Sequence, residues 1–334
     1  MSSEREAPAR HPDLIVRAPN HLGDLVMALP ALGAAGAQTI AVRRPLVPLL
    51  EMAALPASIL PLDRGARALL DAARAIRQEA FDRGVLLTPS LSSAVLFRLA
   101  GVKRRRGSAT DARTLLLTDP VSPALLAGMH RASSYLVLVT GSAPAAPPVP
   151  RLAPSAAGLT RWREVSGGVE RPIGIFPGSN ASSRRWAAER FAQLVGRLAA
   201  RKIPTVIFGG PGEAALTEQV AGQSALDLGG RTDLPALAAG LAACRLLVTN
   251  DSGPMHLAAA VGTPTLSFWG AGDPAETGPL GPGTALLRHP ELPCVPCRAN
   301  QCPRHGAGTL LPDAVRECLA LITVDEAASR IVEN

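Results

Sequence analysis

Short apolar runs alternate along the chain with longer stretches whose apolar residues recur every three or four positions. Residues 14–16 form the first run, which ends at Ala18-Pro19-Asn20, and a helical pattern follows from Gly23. Further strand candidates lie at 39–43, 59–62 and 85–88. Between the last two, residues 66–80 set Arg, Asp and Glu opposite an apolar face, and 92–100 also reads as a helix. Residues 141–170 break the rhythm with a stretch rich in Pro, Ala, Gly and Ser, the composition of a linker or loop. The alternation then resumes. Strands are predicted at 172–176, 205–208, 246–248 and 265–268, and helices at 189–200, 213–220, 234–243 and 255–260. Two more helices are expected at 312–321 and 325–332, the second opened by a Thr323–Glu326 capping box. Residues 1–12 read as a frayed polar tail. Such alternation predicts α/β architecture, with a parallel sheet covered by helices on both faces. The break divides the chain into a domain over 13–150, a linker over 151–170 and a second domain over 171–334.

Length agrees with two domains, because 334 residues exceed the usual size of one. Hydrophobic residues make up 47% of the chain, which excludes general disorder, while aromatics supply only 3%, so Leu, Val and Ala must fill the cores. No apolar stretch approaches the length of a membrane span and no secretory pattern opens the chain, so a cytoplasmic protein is expected. The net charge of +7 is uneven: residues 1–150 hold 17 basic and 11 acidic residues, and the rest is nearly balanced. Lys103-Arg104-Arg105-Arg106 is the densest run. It suits an anionic partner, and it equally suits a solvated strand entrance. Scarce aromatics argue against single-stranded nucleic acid as that partner.

Five cysteines do not suggest a secreted disulfide framework. Cys244 is expected in a core helix. Cys294, Cys297, Cys302 and Cys318, with His305 as a possible addition, raise a structural metal site, although their spacing is not a clean pair of CxxC motifs.

Three turns carry candidate chemistry. Asn20-His21-Leu22-Gly23-Asp24 joins a strand to a helix, at the sheet edge where ligands of open α/β sheets collect. Asp24 there could take a proton from an attacking hydroxyl, or could simply favour the helix dipole. Phe176-Pro177-Gly178-Ser179-Asn180, followed by Ser182-Ser183-Arg184-Arg185-Trp186, offers backbone amides, short donors and arginines that suit phosphate oxygens; it also fits a plain loop with a solvated Arg pair. Asn250-Asp251-Ser252-Gly253-Pro254-Met255-His256 runs from a strand into a helix start, a natural anion site.

The strings RAPNHLGDLVMALPAL, FPGSNASSRRWAAERFAQL and VTNDSGPMHLAAAVGTPTLSFWG resemble, in order and spacing, three hallmark segments of the ADP-heptose:lipopolysaccharide heptosyltransferase family. FDRGVLLTPSLSSAVLFRLAGVKRRRG resembles a fourth, and the opening segment is most similar to the heptosyltransferase II branch. The resemblance implies a GT-B type fold, two Rossmann-like domains facing across a cleft, with acceptor on the N-terminal domain and ADP-heptose on the C-terminal one. It places the catalytic aspartate on Asp24 and the diphosphate-binding base on Arg184, where many members carry lysine. Donor contacts fall on Ser179, Asn180, Glu213, Thr232, Asp251, Ser252, Gly253, Met255 and His256. Acceptor contacts are expected at His21 and Gly23 and, through charge, at Arg104, Arg105 and Arg106. The implied reaction is inverting transfer of heptose to an anionic lipopolysaccharide inner-core acceptor, with room for peripheral contact at the inner membrane surface. The chain contains no Asp-x-Asp string, so no metal or other cofactor is expected in catalysis. A sugar-nucleotide epimerase of the same architecture and a non-catalytic binder of anionic ligands remain as alternatives.

Overall fold

A computed structural model describes residues 11–302 and 317–332. The chain forms two compact units, Met1–Pro150 and Arg151–Asn334. The first unit alternates β1 (His11–Arg17), α1 (Leu22–Ala35), β2 (Ala37–Arg43), α2 (Val47–Ala53), β3 (Ser58–Leu62), α3 (Ala66–Gln78), β4 (Arg83–Leu86), α4 (Leu91–Leu99) and β5 (Arg104–Ser108). It closes with β6 (Asp119–Val121), α5 (Pro123–Leu126) and α6 (Arg131–Thr140). Its six strands lie parallel in the order β3-β2-β1-β4-β5-β6.

The second unit repeats the plan. It comprises α7 (Ala156–Ser166), β7 (Ile173–Phe176), α8 (Ala188–Ala200), β8 (Thr205–Gly209), α9 (Ala214–Ala221), β9 (Leu226–Gly229) and α10 (Leu234–Ala243). There follow β10 (Leu246–Asn250), α11 (Gly253–Ala260), β11 (Thr265–Trp269), α12 (Pro274–Thr277), β12 (Thr284–Arg288), α13 (Glu317–Ala320) and α14 (Val324–Val332). The parallel order is β12-β11-β10-β7-β8-β9. In each sheet the strand order reverses once, between β1 and β4 and between β10 and β7. Among the described residues no helix is long and apolar enough to cross a membrane.

Most of the apolar runs became strands buried on both faces, as the interior of a parallel sheet demands, while β3 at an edge is largely half-buried. Ile15, Leu86, Phe97 and Val102 meet in the core of the first unit. The second concentrates several of the few aromatics: Trp186 stands edge-on to Phe191 at 4.9 Å between ring centres, and Phe268 lies 4.6 Å from Trp186. Helix α1 runs through Pro30 and stops at Gly36, whose φ of 57° suits a residue without a Cβ. Strand β1 starts at His11, inside the segment read as tail, and residues 1–10 lie outside the described ones. Most of the helix expected at 312–321 also lies outside them, with only Glu317–Ala320 seen. At α14 the Glu326 amide donates to Thr323 Oγ1 at 3.1 Å, one half of the expected capping box.

Residues 151–170, expected as linker, need correction. Ser155 accepts from the Gly158 amide and caps α7, and Trp162 is buried against Phe208. The Pro and Ala content suggested a loop, but one indole supplies enough apolar area to dock a helix. Helix α7 lies so close to α10 that a Cβ on Gly158 would stand 2.4 Å from the Pro235 carbonyl oxygen. Gly158→Ala is therefore expected to cost about 1–3 kcal/mol through overpacking, despite alanine's better helix propensity. A lowered urea midpoint would show it; an unchanged or raised midpoint would mean that the helix is not pinned there.

Candidate active site

In the first unit, the turn after β1 is braced from below. The Arg17 guanidinium is buried and donates to the carbonyls of Ala18 and Ala41 at 2.5 and 3.2 Å and to Asn20 Oδ1 at 2.5 Å. Burial and the nearby Arg43 hold its pKa down at about 10. Asn20 in turn donates to Thr88 Oγ1 at 3.3 Å, which ties the loop after β1 to the loop after β4. The Thr88 carbonyl accepts from the buried Arg113 at 2.5 Å. His21 is exposed at the start of α1, Gly23 is buried inside its first turn, and Asp24 follows. Asp24 Oδ1 accepts the Tyr135 hydroxyl at 3.1 Å and lies 3.9 Å from Arg131 Nη1.

The arginine run does not join this turn. It forms the amino-terminal part of β5, with Arg104 in register with Arg83 and hence with Leu14. Arg105 donates to the carbonyls of Leu116, Val102 and Lys103. Arg106 donates to the Leu138 carbonyl and pairs with Asp119 at 2.7 Å. Lys103 pairs with Asp82. The guanidinium groups of Arg105 and Arg106 are largely occupied by the unit's own oxygens, whereas Arg104 is exposed at the start of β5. The reading of Arg104, Arg105 and Arg106 as acceptor contacts thus meets a structure in which Arg105 and Arg106 brace β5 and Arg104 alone stays exposed.

In the second unit the predicted residues converge. Asn250, fully buried at the end of β10, donates to the Pro177 carbonyl at 2.7 Å and accepts the Trp186 amide at 2.9 Å. Ser179 donates to the Asp251 carbonyl at 3.2 Å, and its own carbonyl accepts from Arg185 at 2.8 Å. Asn180 is exposed beside it. These bonds bind the loop after β7 to the loop after β10. The Glu213 carboxylate accepts the Gly210 amide at 2.8 Å and lies directly over Gly178, where a Cβ would stand 1.8 Å from Glu213 Oε1. Only glycine leaves room for that carboxylate. Ser252 forms the N-cap of α11, Gly253 opens the helix, and Met255 and His256 are buried in its first turn. Thr232 sits half-buried between β9 and α10.

Arg184 Nη1 lies 3.1 Å from Asp251 Oδ2, close enough to pair but without hydrogen-bond geometry. Burial pushes the Asp251 carboxyl up to about 6, against the opposing pull of Arg184. Gly272 makes the burial possible, since a Cβ there would stand 2.1 Å from Asp251 Oδ2.

Sequence reasoning overlooked Asn250 as the bracket between loops; its burial is invisible in a string of polar residues. It also missed the contact made by the loop after β12. There the carbonyls of Ala299 and Asn300 accept from Ser183 Oγ at 2.5 Å and the Ser183 amide at 3.2 Å, steadying the segment that carries Arg184. The same loop holds Cys294, Cys297 and Cys302. Burial pushes the Cys318 thiol up, and the charges of Cys294, Cys302 and Cys297 add to the rise. Among the described residues, however, no group of three or more His, Cys, Asp or Glu side chains is arranged to hold a metal ion, and His305 lies outside them. The proposed structural metal gains no support. Cys244 ends α10, buried, with its thiol donating to the Gly240 carbonyl and its pKa pushed up by burial to about 12.

Comparison with known proteins adds the following. The profile of glycosyltransferase family 9 (heptosyltransferase) matches residues 69–307, well over half of the chain. The chain is 31% identical over 233 residues to lipopolysaccharide heptosyltransferase 2 of Escherichia coli, covering 64% of this chain and 66% of that protein. It is 28% identical over 230 residues to lipooligosaccharide heptosyltransferase 2 of Haemophilus influenzae, covering 63% and 66%. The matched segment thus spans just under two thirds of the length of either relative. Among solved structures, E. coli ADP-heptose lps heptosyltransferase II superimposes with a TM-score of 0.78 at 24% identity, covering 96% of this chain and 98% of that one. A glycosyl transferase family 9 structure from Veillonella parvula also reaches 0.78, at 21% identity and full coverage of both chains. These likenesses establish the GT-B fold of two Rossmann-like units.

The buried carboxyl of Asp251 makes a pH-dependent prediction. An unfolded Asp titrates near about 4, and the folded value is higher, so the folded chain holds this proton more tightly. That contribution to stability is complete below about pH 4 and is lost as pH rises through the folded value. Asp251→Asn cannot ionise. Relative to the variant, the parent should weaken by about 2–3 kcal/mol between pH 4 and 7, read from denaturant unfolding at each pH. Parallel stability curves would mean that ionised Asp251 is fully compensated by its neighbours.

Proposed function

Since the chain belongs to glycosyltransferase family 9, the heptosyltransferases, we propose that it transfers heptose from ADP-heptose to a lipopolysaccharide inner-core acceptor with inversion. The second unit takes the donor and the first takes the acceptor. The convergence of Ser179, Glu213, Arg184 and the start of α11 around two bracketed loops carries this reading. Such a turn offers amides and a guanidinium to a diphosphate, and the Glu213 carboxylate suits the hydroxyls of a ribose.

In the proposed step Asp24 accepts the proton of the acceptor hydroxyl. The oxygen forms its bond to the anomeric carbon while the bond from that carbon to the diphosphate breaks on the opposite face, and ADP leaves with the electron pair. Arg184 and the α11 amides offset the charge gathering on the leaving diphosphate. Asp251 holds Arg184 in waiting, and the incoming phosphate oxygens replace or share that contact. The family profile begins after Asp24, so its part as base is supported by its own surroundings and by the resemblance of its motif.

Mass spectrometry of the acceptor after incubation with ADP-heptose should find one added heptose. Asp24→Asn should lower turnover by about 10²–10⁴-fold, the usual worth of a general base, with donor affinity within a few-fold of wild type. Turnover above half of the wild-type rate would remove Asp24 from the role. Catalysis is further proposed to need no divalent metal, on the strength of the absent Asp-x-Asp string and the cationic Arg184 beside the phosphate loops. Full rate in excess EDTA is the expected outcome; a rate abolished by EDTA and restored by Mg²⁺ or Mn²⁺ would contradict it.

A further inference from the structure

Asp24 is held by a helix distant in sequence. Helix α6 packs on α1 and presents Arg131 and Tyr135, four residues apart and therefore on one face. Tyr135 is the chain's only tyrosine and is 5% exposed. Its hydroxyl donates to Asp24 Oδ1 at 3.1 Å, and Arg131 Nη1 approaches the same oxygen to 3.9 Å. Oδ2 has no hydrogen-bond partner among the described residues, and the Asp24 side chain keeps 27% of its surface open. One hydroxyl thus bonds one oxygen, a guanidinium stands off the same atom, and no described hydrogen bond reaches the other.

The choice of donor has chemical sense. Burial, and next the charge of Asp24, raise the Tyr135 pKa well above its ordinary value, so the phenol stays a hydrogen-bond donor. A guanidinium in direct contact would also fix the carboxylate, but it would stabilise the anion more strongly and weaken it as a proton acceptor. Here the cation stands back and a neutral hydroxyl makes the bond.

We propose that Tyr135, assisted by Arg131, is the positioning residue of the base: it fixes the rotation of the Asp24 carboxylate so that Oδ2 faces the acceptor hydroxyl. This rests on the reading of Asp24 as the base. Without the phenolic bond the carboxylate turns about its last torsion and meets the hydroxyl in fewer productive orientations. A small loss of alignment is enough to slow transfer roughly 10- to 100-fold.

The test is a kinetic cycle of four proteins: wild type, Tyr135→Phe, Asp24→Asn and the double variant. Phenylalanine keeps the ring and its packing, so the melting temperature should stay close to that of wild type. Tyr135→Phe should lower kcat roughly 10- to 100-fold with donor KM unchanged, and should cost nothing further when Asp24 is already Asn. A bond that only clamps α6 to α1 would instead lower the melting temperature and give additive losses in the double variant. Wild-type kcat in Tyr135→Phe, with Asp24→Asn inactive, overturns the positioning role and leaves Asp24 as base. High kcat in Asp24→Asn overturns both. Should Tyr135→Phe fail to fold, Arg131→Gln alters a side chain 42% exposed and asks the same question. A drop in kcat at constant donor KM and melting temperature supports the proposal; wild-type kcat contradicts it.

Discussion

Every pairing within the two sheets is parallel, and each sheet reverses its strand order once, at β1/β4 and at β10/β7. Much of the molecule depends on this constraint. Parallel strands send all the loops that follow them to one edge. At the reversal, neighbouring loops depart in opposite directions and leave a crevice at the strand ends. Backbone groups there lose their ladder partners and must be satisfied by side chains. In the first unit Arg17 and Arg113 supply them, and Asn20 and Thr88 tie the two loops together; in the second, Asn250 and Ser179 do. These bonds brace the strand ends, and the side chains of the proposed function sit in the turns beside them.

The two settings differ in electrostatics. Around Asp24 the carboxylate keeps access to solvent and is steered by a neutral phenol, an arrangement suited to moving a proton. Around Asp251 the carboxylate is buried, raised toward neutrality by burial, and faced by an arginine. A buried pair of this kind contributes little net stability by itself. Under the proposed function its value would lie in presenting a guanidinium where a diphosphate can claim it.

Much of this was legible in the sequence. Polar strings at the ends of apolar runs marked the turns after β1, β7 and β10, because a parallel sheet buries its strands and releases polarity only at their ends. The Arg104–Arg106 stretch was harder to read. Charge counts cannot tell a solvated guanidinium from one satisfied by three carbonyls, and RRRGS has no apolar alternation to betray a strand. Helix α7 was hidden by proline and alanine on either side of one decisive residue, Trp162. The α6 side chains were beyond reach, since Tyr135 lies 111 positions from Asp24 and only the folded chain brings them together. Local patterns specify elements; contacts between elements far apart in sequence leave no local signal.

The proposed transfer is a single displacement at the anomeric carbon, with one carboxylate as base and ADP as leaving group. It fixes the stereochemistry of the product, independently of rates or affinities. Nuclear magnetic resonance of the acceptor after transfer from an ADP-heptose of known anomeric configuration would report it. Single displacement gives the opposite configuration at the new linkage; retention would require a different reaction path and would rule it out.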